Sequence, residues 1–253
     1  FAEGFFHANA RWEVHPGNMN PRKAKVEFHI DEGPAYRYQL VQFHSKDKDV
    51  RLLAAKVSET RSLLKTCDRY DEDKLTEERE RLAKTFRDNG YYTFSASSVS
   101  YIIDTNVVQN GPRGGCSNLD EDSTVYINLH IQLPDSIEKF VVEEIDVQII
   151  QSTADTAELM LLKAETLSPE EREYFGISEK IFGDKQKVHF RVPPRVLEIL
   201  SLNTVEEQLK VKVGSLYDRQ KSIATQRRLR ELGIFNRAVM RYERMDSSSN
   251  HLR

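Results

Sequence analysis

Apolar and polar residues alternate strictly in Val26-Glu-Phe-His-Ile30, which puts Val26, Phe28 and Ile30 on one face of an extended segment and Glu27 and His29 on the other. The same period of two returns in Val125–Leu133, with Ile127, Leu129 and Ile131 inward. Tyr36–Phe43 reads as a further strand. Between these strands the period changes: Val50, Leu53, Ala54, Val57 and Leu64 keep helical spacing, and Leu75, Leu82 and Phe86 form the apolar stripe of a second helix. Asp71 or Asp73 is placed to cap that second helix. Its acids come early (Asp71, Glu72, Asp73, Glu77, Glu78) and its bases late (Arg81, Lys84, Arg87), as the helix dipole favours, and Glu78 is expected at an exposed position. Thr93–Asp104 is expected to run extended. The order over residues 34–134 is therefore strand, helix, helix, strand, strand.

One signature recurs along the chain. Gly4-Phe-Phe6, Gly90-Tyr-Tyr92 and Gly233-Ile-Phe235 each set an aromatic two residues after a glycine. A glycine just past a helix end takes left-handed dihedrals that cost other residues energy. The aromatic is then expected to pack back on the helix just ended. Tyr70-Asp71 returns as Tyr217-Asp218, with Gly214 shortly ahead of it, and each pair opens a second helix. Copies in phase define architecture more firmly than any single motif. The expected fold is α+β: tandem β-α-α-β-β units, each a small mixed sheet with two helices on one face. Residues 1–33 form the C-terminal hairpin of a partial unit, 34–134 a complete unit, and 135–253 a unit with an insertion at about 151–185. Leu159–Lys163 and Pro169–Phe175 look helical within that insertion. Phe140–Ile150 is the first strand of the last unit, and Ala238–Glu243 begins a hairpin whose partner strand is cut short. Phe1 sits inside a motif, so sequence upstream of it is expected.

Composition narrows the function classes. The 253 residues are 30% charged and 39% hydrophobic, with a net charge of -3 and no long basic run, which argues against nucleic-acid binding. No apolar run approaches the roughly 18 residues that would suggest a membrane-spanning helix. Two cysteines, Cys67 and Cys116, are too few for a disulfide framework or a four-ligand zinc site. Gly-x-Ser-x-Gly, His-Glu-x-x-His and Walker-type runs are absent. Gly111-Pro-Arg-Gly-Gly115 lies between two strands with no helix to follow, so a hairpin loop explains it better than a phosphate cradle. His29 and His130 fall at the same place in two repeats, on the outward phase, where solvated positions explain them better than a metal pair. Glu143, Glu144 and Asp146 read as carboxylates that solvate a strand edge. No catalytic, cofactor-binding or metal-ligating residue is assigned, and no cofactor is expected.

The β-α-α-β-β order, with Tyr-Asp opening the second helix and Gly-aromatic closing it, resembles the POTRA (polypeptide-transport-associated) domain. Tyr70-Asp71 with Gly90-Tyr-Tyr92, Gly214-Ser-Leu-Tyr217-Asp218 with Leu229-Arg-Glu-Leu232-Gly233-Ile-Phe235, and the Gly4-Phe-Phe6 fragment carry the resemblance. The last set is similar to the final repeat before the barrel in BamA/TamA-like outer-membrane assembly proteins, and Gly90-Tyr-Tyr-Thr-Phe with Asp104 is closer to the TamA-like branch. The resemblance covers nearly all of the chain except 151–185. It implies periplasmic modules at the outer membrane, ahead of a membrane β-barrel, that help nascent outer-membrane proteins or serve periplasmic partner proteins, with no catalytic chemistry. Other roles it allows are docking of one dedicated partner, or the POTRA region of a two-partner-secretion-type transporter.

In this fold the strand after the Gly-aromatic turn should lie at a sheet edge. Natural edges are blunted with Lys, Pro or bulges. Thr93–Ile103 has no Lys, Arg, Pro or Gly, and its small side chains let another backbone approach. Ser95, Ser97, Ser98, Val99, Ser100 and Tyr101 are thus the candidate edge for a client or partner strand. Arg227, Arg228 and Arg230 make a basic face on the last helix that could meet the barrel, an acidic partner or lipid headgroups, although a solvated face is the commoner explanation. In an oxidising periplasm Cys67 and Cys116 could tie the inter-helix turn to the hairpin loop. Two unpaired thiols are the expectation.

Overall fold

The computed structural model describes residues 3–16, 23–107, 116, 124–149, 177–178, 188–192, 199–246 and 249–253. The insertion helices expected at Leu159–Lys163 and Pro169–Phe175 and the glycine-rich run at 111–115 lie outside the described residues. The chain is α+β, with small sheets and four α-helices among the described residues. Contacts divide it into two compact units, Phe1–Thr85 with Ser95–Ile137, and Phe86–Phe94 with Glu138–Arg253. The N-terminal hairpin belongs to the first unit. The last turn of the second helix and the glycine turn after it belong to the second.

In unit 1, strands β1 (Asn9–Pro16) and β2 (Ala24–Asp31) form an antiparallel hairpin. Strand β3 (Ala35–His44) leads to helices α1 (Lys48–Arg61) and α2 (Glu72–Arg87), then β4 (Ser100–Asp104) and β5 (Thr124–Gln132). The sheet order is β3-β5-β4, with β3 parallel and β4 antiparallel to the central β5. Ile127, Leu129 and Ile131 share one face of β5 by the period of two, and all three are buried. Val50 and Ala54 of α1 and Leu75, Leu82 and Ala83 of α2 are the buried apolar helix positions of this unit. Asp47 caps α1, accepting from the Asp49 and Val50 N–H groups, and Asp71 caps α2, accepting from Asp73 at 3.0 Å and Lys74 at 3.2 Å.

Among the described residues, one charged pair lies inside this unit. The Glu78 side chain is fully buried and takes two bonds from Arg81, at 2.6 and 2.7 Å, one from Ser62 Oγ at 3.1 Å and one from the Leu63 N–H at 3.1 Å. Arg81 also donates to Ser58 Oγ at 3.0 Å and to the Val57 carbonyl at 3.4 Å. The pair so satisfies the backbone at the end of α1 and fixes α1 against α2. Truncating one member leaves the other charge buried and unpaired.

In unit 2 the expected first strand is broken into β6 (Val141–Val142) and β7 (Ile145–Gln148). Strand β6 pairs in parallel with β10 (His251–Leu252). β10 in turn faces an antiparallel partner, because Glu243 and Arg253 exchange both backbone bonds at 2.9 Å and the Met245 N–H reaches the His251 carbonyl at 3.1 Å. The C-terminal hairpin therefore starts at Glu243, later than expected, and its second strand is present though short. β7 pairs in parallel with β9 (Val188–Arg191), and β9 antiparallel with β8 (Ile177–Ser178). Helices α3 (Leu202–Gln208) and α4 (Arg219–Glu231) complete the unit. Leu200, Leu202 and Val205 join Ile149, Val188, Phe190 and Val192 in its larger core, with Leu229 and Phe235 packed against it. Glu144 accepts from His189 Nε2 at 2.8 Å, and Glu143 and His251 approach to 2.8 Å. Of the carboxylates expected only to solvate an edge, Glu143 and Glu144 thus lie against histidines at the strand break.

Both glycine turns build the same arrangement. Gly4 and Gly90 have φ of +83° and +98°. The Gly4 carbonyl accepts from the Tyr36 N–H at 2.8 Å, and the Gly90 carbonyl from the Phe140 N–H at 2.9 Å. Phe6 packs on Tyr36 and Tyr70 at 4.5 and 4.9 Å between ring centroids, and Tyr92 on Phe140 and Tyr217 at 5.6 and 5.0 Å. Tyr70 and Tyr217 then donate their N–H groups to the Tyr36 and Phe140 carbonyls, each at 2.8 Å. The aromatic therefore packs forward on the residues that open the next repeat. It is the residue directly after Gly90, Tyr91, that packs back, on Phe86 at 5.3 Å. Gly233 (φ +74°) closes α4 likewise, but Phe235 turns to its own core.

Replacing Gly90 by Val should destabilise by about 1 kcal/mol or more, because a β-branched residue is forced to a positive φ. Glu78→Ala should cost more, about 3–5 kcal/mol, by stranding Arg81. Urea denaturation followed by circular dichroism measures both.

Candidate functional site

Each edge of the β3-β5-β4 sheet exposes backbone groups that need partners. The outer edge of β3 is occupied from Tyr36 to Tyr38. Besides the bonds of Tyr36 to Gly4 and Tyr70, the Tyr38 N–H donates to the Asp68 carbonyl at 3.1 Å and its carbonyl accepts from the Cys67 N–H at 2.8 Å. Arg37 adds a bond from Nη1 to the Cys67 carbonyl at 3.0 Å. The segment 67–70 thus acts as a short closing strand, with an antiparallel bridge between Arg37 and Arg69. Cys67 holds a φ of +74° there and is bonded to Cys116, with Cα atoms 5.5 Å apart. The thiols expected to be unpaired form a disulfide. The sequence separation was compatible with either state, and only the fold brings the two Cα atoms within bonding range.

The β4 edge is different. Among the described residues, Ser100–Asp104 make no backbone hydrogen bond beyond the ladder with β5. Tyr101 fixes the strand from its inner face: its hydroxyl donates to the Leu75 carbonyl at 2.8 Å, and the Arg79 guanidinium lies 5.1 Å from its ring centroid. Burial raises the Tyr101 pKa, so this hydroxyl stays a donor at neutral pH. On the opposite face Ser100 is exposed and Ile102 is 54% exposed.

Of the residues expected on the edge, only Ser100 and Tyr101 lie in the strand. Ala96–Ser98 is a single 3-10 turn, and Val99 is buried. Ser98 Oγ accepts from the Ser95 N–H at 3.1 Å, and the Ser95 and Ser97 hydroxyls are 2.8 Å apart. The serines that suggested easy approach by another backbone instead satisfy their own, which is how short hydroxyl side chains compete with strand ladders. Ile102, Ile103 and Asp104 complete the observed edge, and the alternation through Tyr101 and Ile103 was its sequence signal. What the sequence did not signal is the closure of β3 by residues 67–70. His130 meets His44, with Nδ1 and Nε2 2.9 Å apart, rather than His29, which faces Arg11. No group of three metal-ligating side chains occurs among the described residues. No helix among them is long and apolar enough to cross a membrane.

No family model and no curated protein matches the chain. Among solved structures, the crystal structure of Haemophilus influenzae BamA POTRA3-5 matches 99% of this chain and 71% of that one, at 12% identity and a TM-score of 0.45. POTRA1-3 of the periplasmic domain of Omp85 from Anabaena matches over 99% and 73%, at 14% identity and a TM-score of 0.28. The N-terminal domain of Omp85 from the thermophilic cyanobacterium Thermosynechococcus elongatus matches over 87% and 94%, at 9% identity and a TM-score of 0.23. Likenesses this distant carry no argument, and the architecture rests on the chain's own topology.

The disulfide closes a loop across 49 positions of sequence, for which chain entropy gives about 4 kcal/mol. Replacing Cys67 and Cys116 by Ser should lower stability by up to that amount in urea titrations. It should also speed hydrogen exchange of the Tyr38 and Tyr70 amides, which this clamp protects.

Proposed function

We propose that this chain is the tandem POTRA region of an Omp85-type outer-membrane protein, working at the periplasmic face of the outer membrane, and that β4 receives an extended strand from a client or partner. The repeated β-α-α-β-β order, with its paired Gly-aromatic and Tyr-Asp elements, supports the family. One observation carries the binding role: residues 67–70 close β3 at Tyr36 and Tyr38, whereas Ser100–Asp104 has unmatched outward backbone groups along its whole length among the described residues. Strand addition draws its affinity from the main chain, so it tolerates varied client sequences. Short peptides should bind weakly, since ordering them offsets much of the gain.

The test is photocrosslinking in cells from Ser100 and Ile102, with Glu80 and Lys84 of α2 as controls, whose side chains are 60% and 54% exposed. Crosslinks to many outer-membrane precursors are expected. Capture of one protein alone would indicate a dedicated docking partner. Yields no higher than at Glu80 and Lys84 would remove the edge as the binding surface.

A further inference from the structure

Charge is distributed very unevenly. Residues 210–253 hold 11 Lys and Arg against four Asp and Glu, a net of +7 in a chain whose total is -3, which leaves -10 on residues 1–209. Helix α4 carries much of this charge: Arg219, paired with Asp88 at 3.0 Å, Lys221, paired with the capping Asp218 at 3.8 Å, and Arg227, Arg228 and Arg230, with Glu231 the one acid within the helix. Its buried side is Ser222 and Thr225, with Leu229 packed on the core. Ile223, Arg227 and Arg230, at i, i+4 and i+7, form the opposite stripe. Ile223 is 45% exposed and the Arg227 side chain 68%; Ile234, just beyond the glycine stop, is 52% exposed.

Two plain explanations account for part of this. Arg228 and Arg230 lie in the last turn, where cations suit the helix dipole. Arg227 has an exposed partner in Glu231 at 3.5 Å. Neither explains why exposed isoleucines precede and follow the arginines in sequence, or why the excess continues through Arg237, Arg241 and Arg244. Arginine beside exposed aliphatic side chains suits a surface that is anionic outside and apolar beneath. A polypeptide of acidic side chains alone would satisfy the arginines but give the isoleucines nothing.

We propose that the outward stripe of α4, Ile223, Arg227 and Arg230 with Ile234 beyond the stop, binds an anionic phospholipid surface, with arginines on headgroup phosphates and isoleucines at the acyl boundary. This surface works independently of strand capture by β4, so it stands or falls separately.

The experiment is co-sedimentation of the chain with vesicles of phosphatidylcholine alone and of phosphatidylcholine with phosphatidylglycerol in equal parts. Binding should need phosphatidylglycerol and weaken with added salt. Each arginine near a charged membrane contributes about a five-fold change in partitioning, so R227E/R230E should bind at least about 25-fold more weakly. The reversals K48E/K56E, at exposed positions of α1, change net charge equally and should leave binding unchanged. I223S/I234S should also weaken it, and circular dichroism shows that each variant is folded. Equal loss in the α1 variant would reduce the effect to net charge and overturn the proposal. So would undiminished binding by R227E/R230E or by I223S/I234S, or binding to polyglutamate without binding to the vesicles.

Discussion

A three-stranded sheet has two edges, and the backbone groups along each must find partners in the chain, in water or in another molecule. The first unit treats its two edges unequally. On β3, Tyr36 and Tyr38 have their outward N–H and carbonyl groups taken by Gly4, Cys67, Asp68 and Tyr70. On β4 the strand is held firmly from its inner face by Tyr101 and left open outward among the described residues. A rigid strand with an unpaired edge is a better template for pairing than a flexible one, since less order must be imposed on binding.

The glycine turn is the second constraint. Its left-handed residue stops α2, its carbonyl accepts the first strand of the next repeat, and its second aromatic seats on that strand and on the tyrosine of Tyr-Asp. In the same Tyr-Asp pair the aspartate caps the following helix, at Asp71 and again at Asp218. Few residues thus do several tasks at once, which accounts for the motif returning in phase while the sequence around it changes.

Elements with a period or a chemical signature were legible: the alternation of β2 and β5, the stripe of α2, the glycine stops and the aspartate caps. Features set by tertiary context were not. The serines at 95–98 carry no Pro or Gly and read as strand, yet their hydroxyls favour a local turn over a ladder. Cys67 and Cys116 gave no pairing signal because their proximity follows from packing. Glu78 looked like a solvated helix acid, since nothing local reveals that Arg81, Ser62 and the Leu63 amide enclose it. The break at Glu143-Glu144 was hidden for a similar reason, as its histidine partners lie far along the chain.

The central claim concerns the outward amides of β4, and residue-resolved hydrogen exchange by NMR reads them directly. In the free protein the amides between Ser100 and Asp104 should split, those bonded to β5 slow and the outward ones fast. Addition of an extended peptide taken from a barrel strand should slow the fast set and leave Tyr36 and Tyr38 unchanged. Outward amides already protected in the free chain, or protection appearing on β3 or the helices instead, would contradict the account.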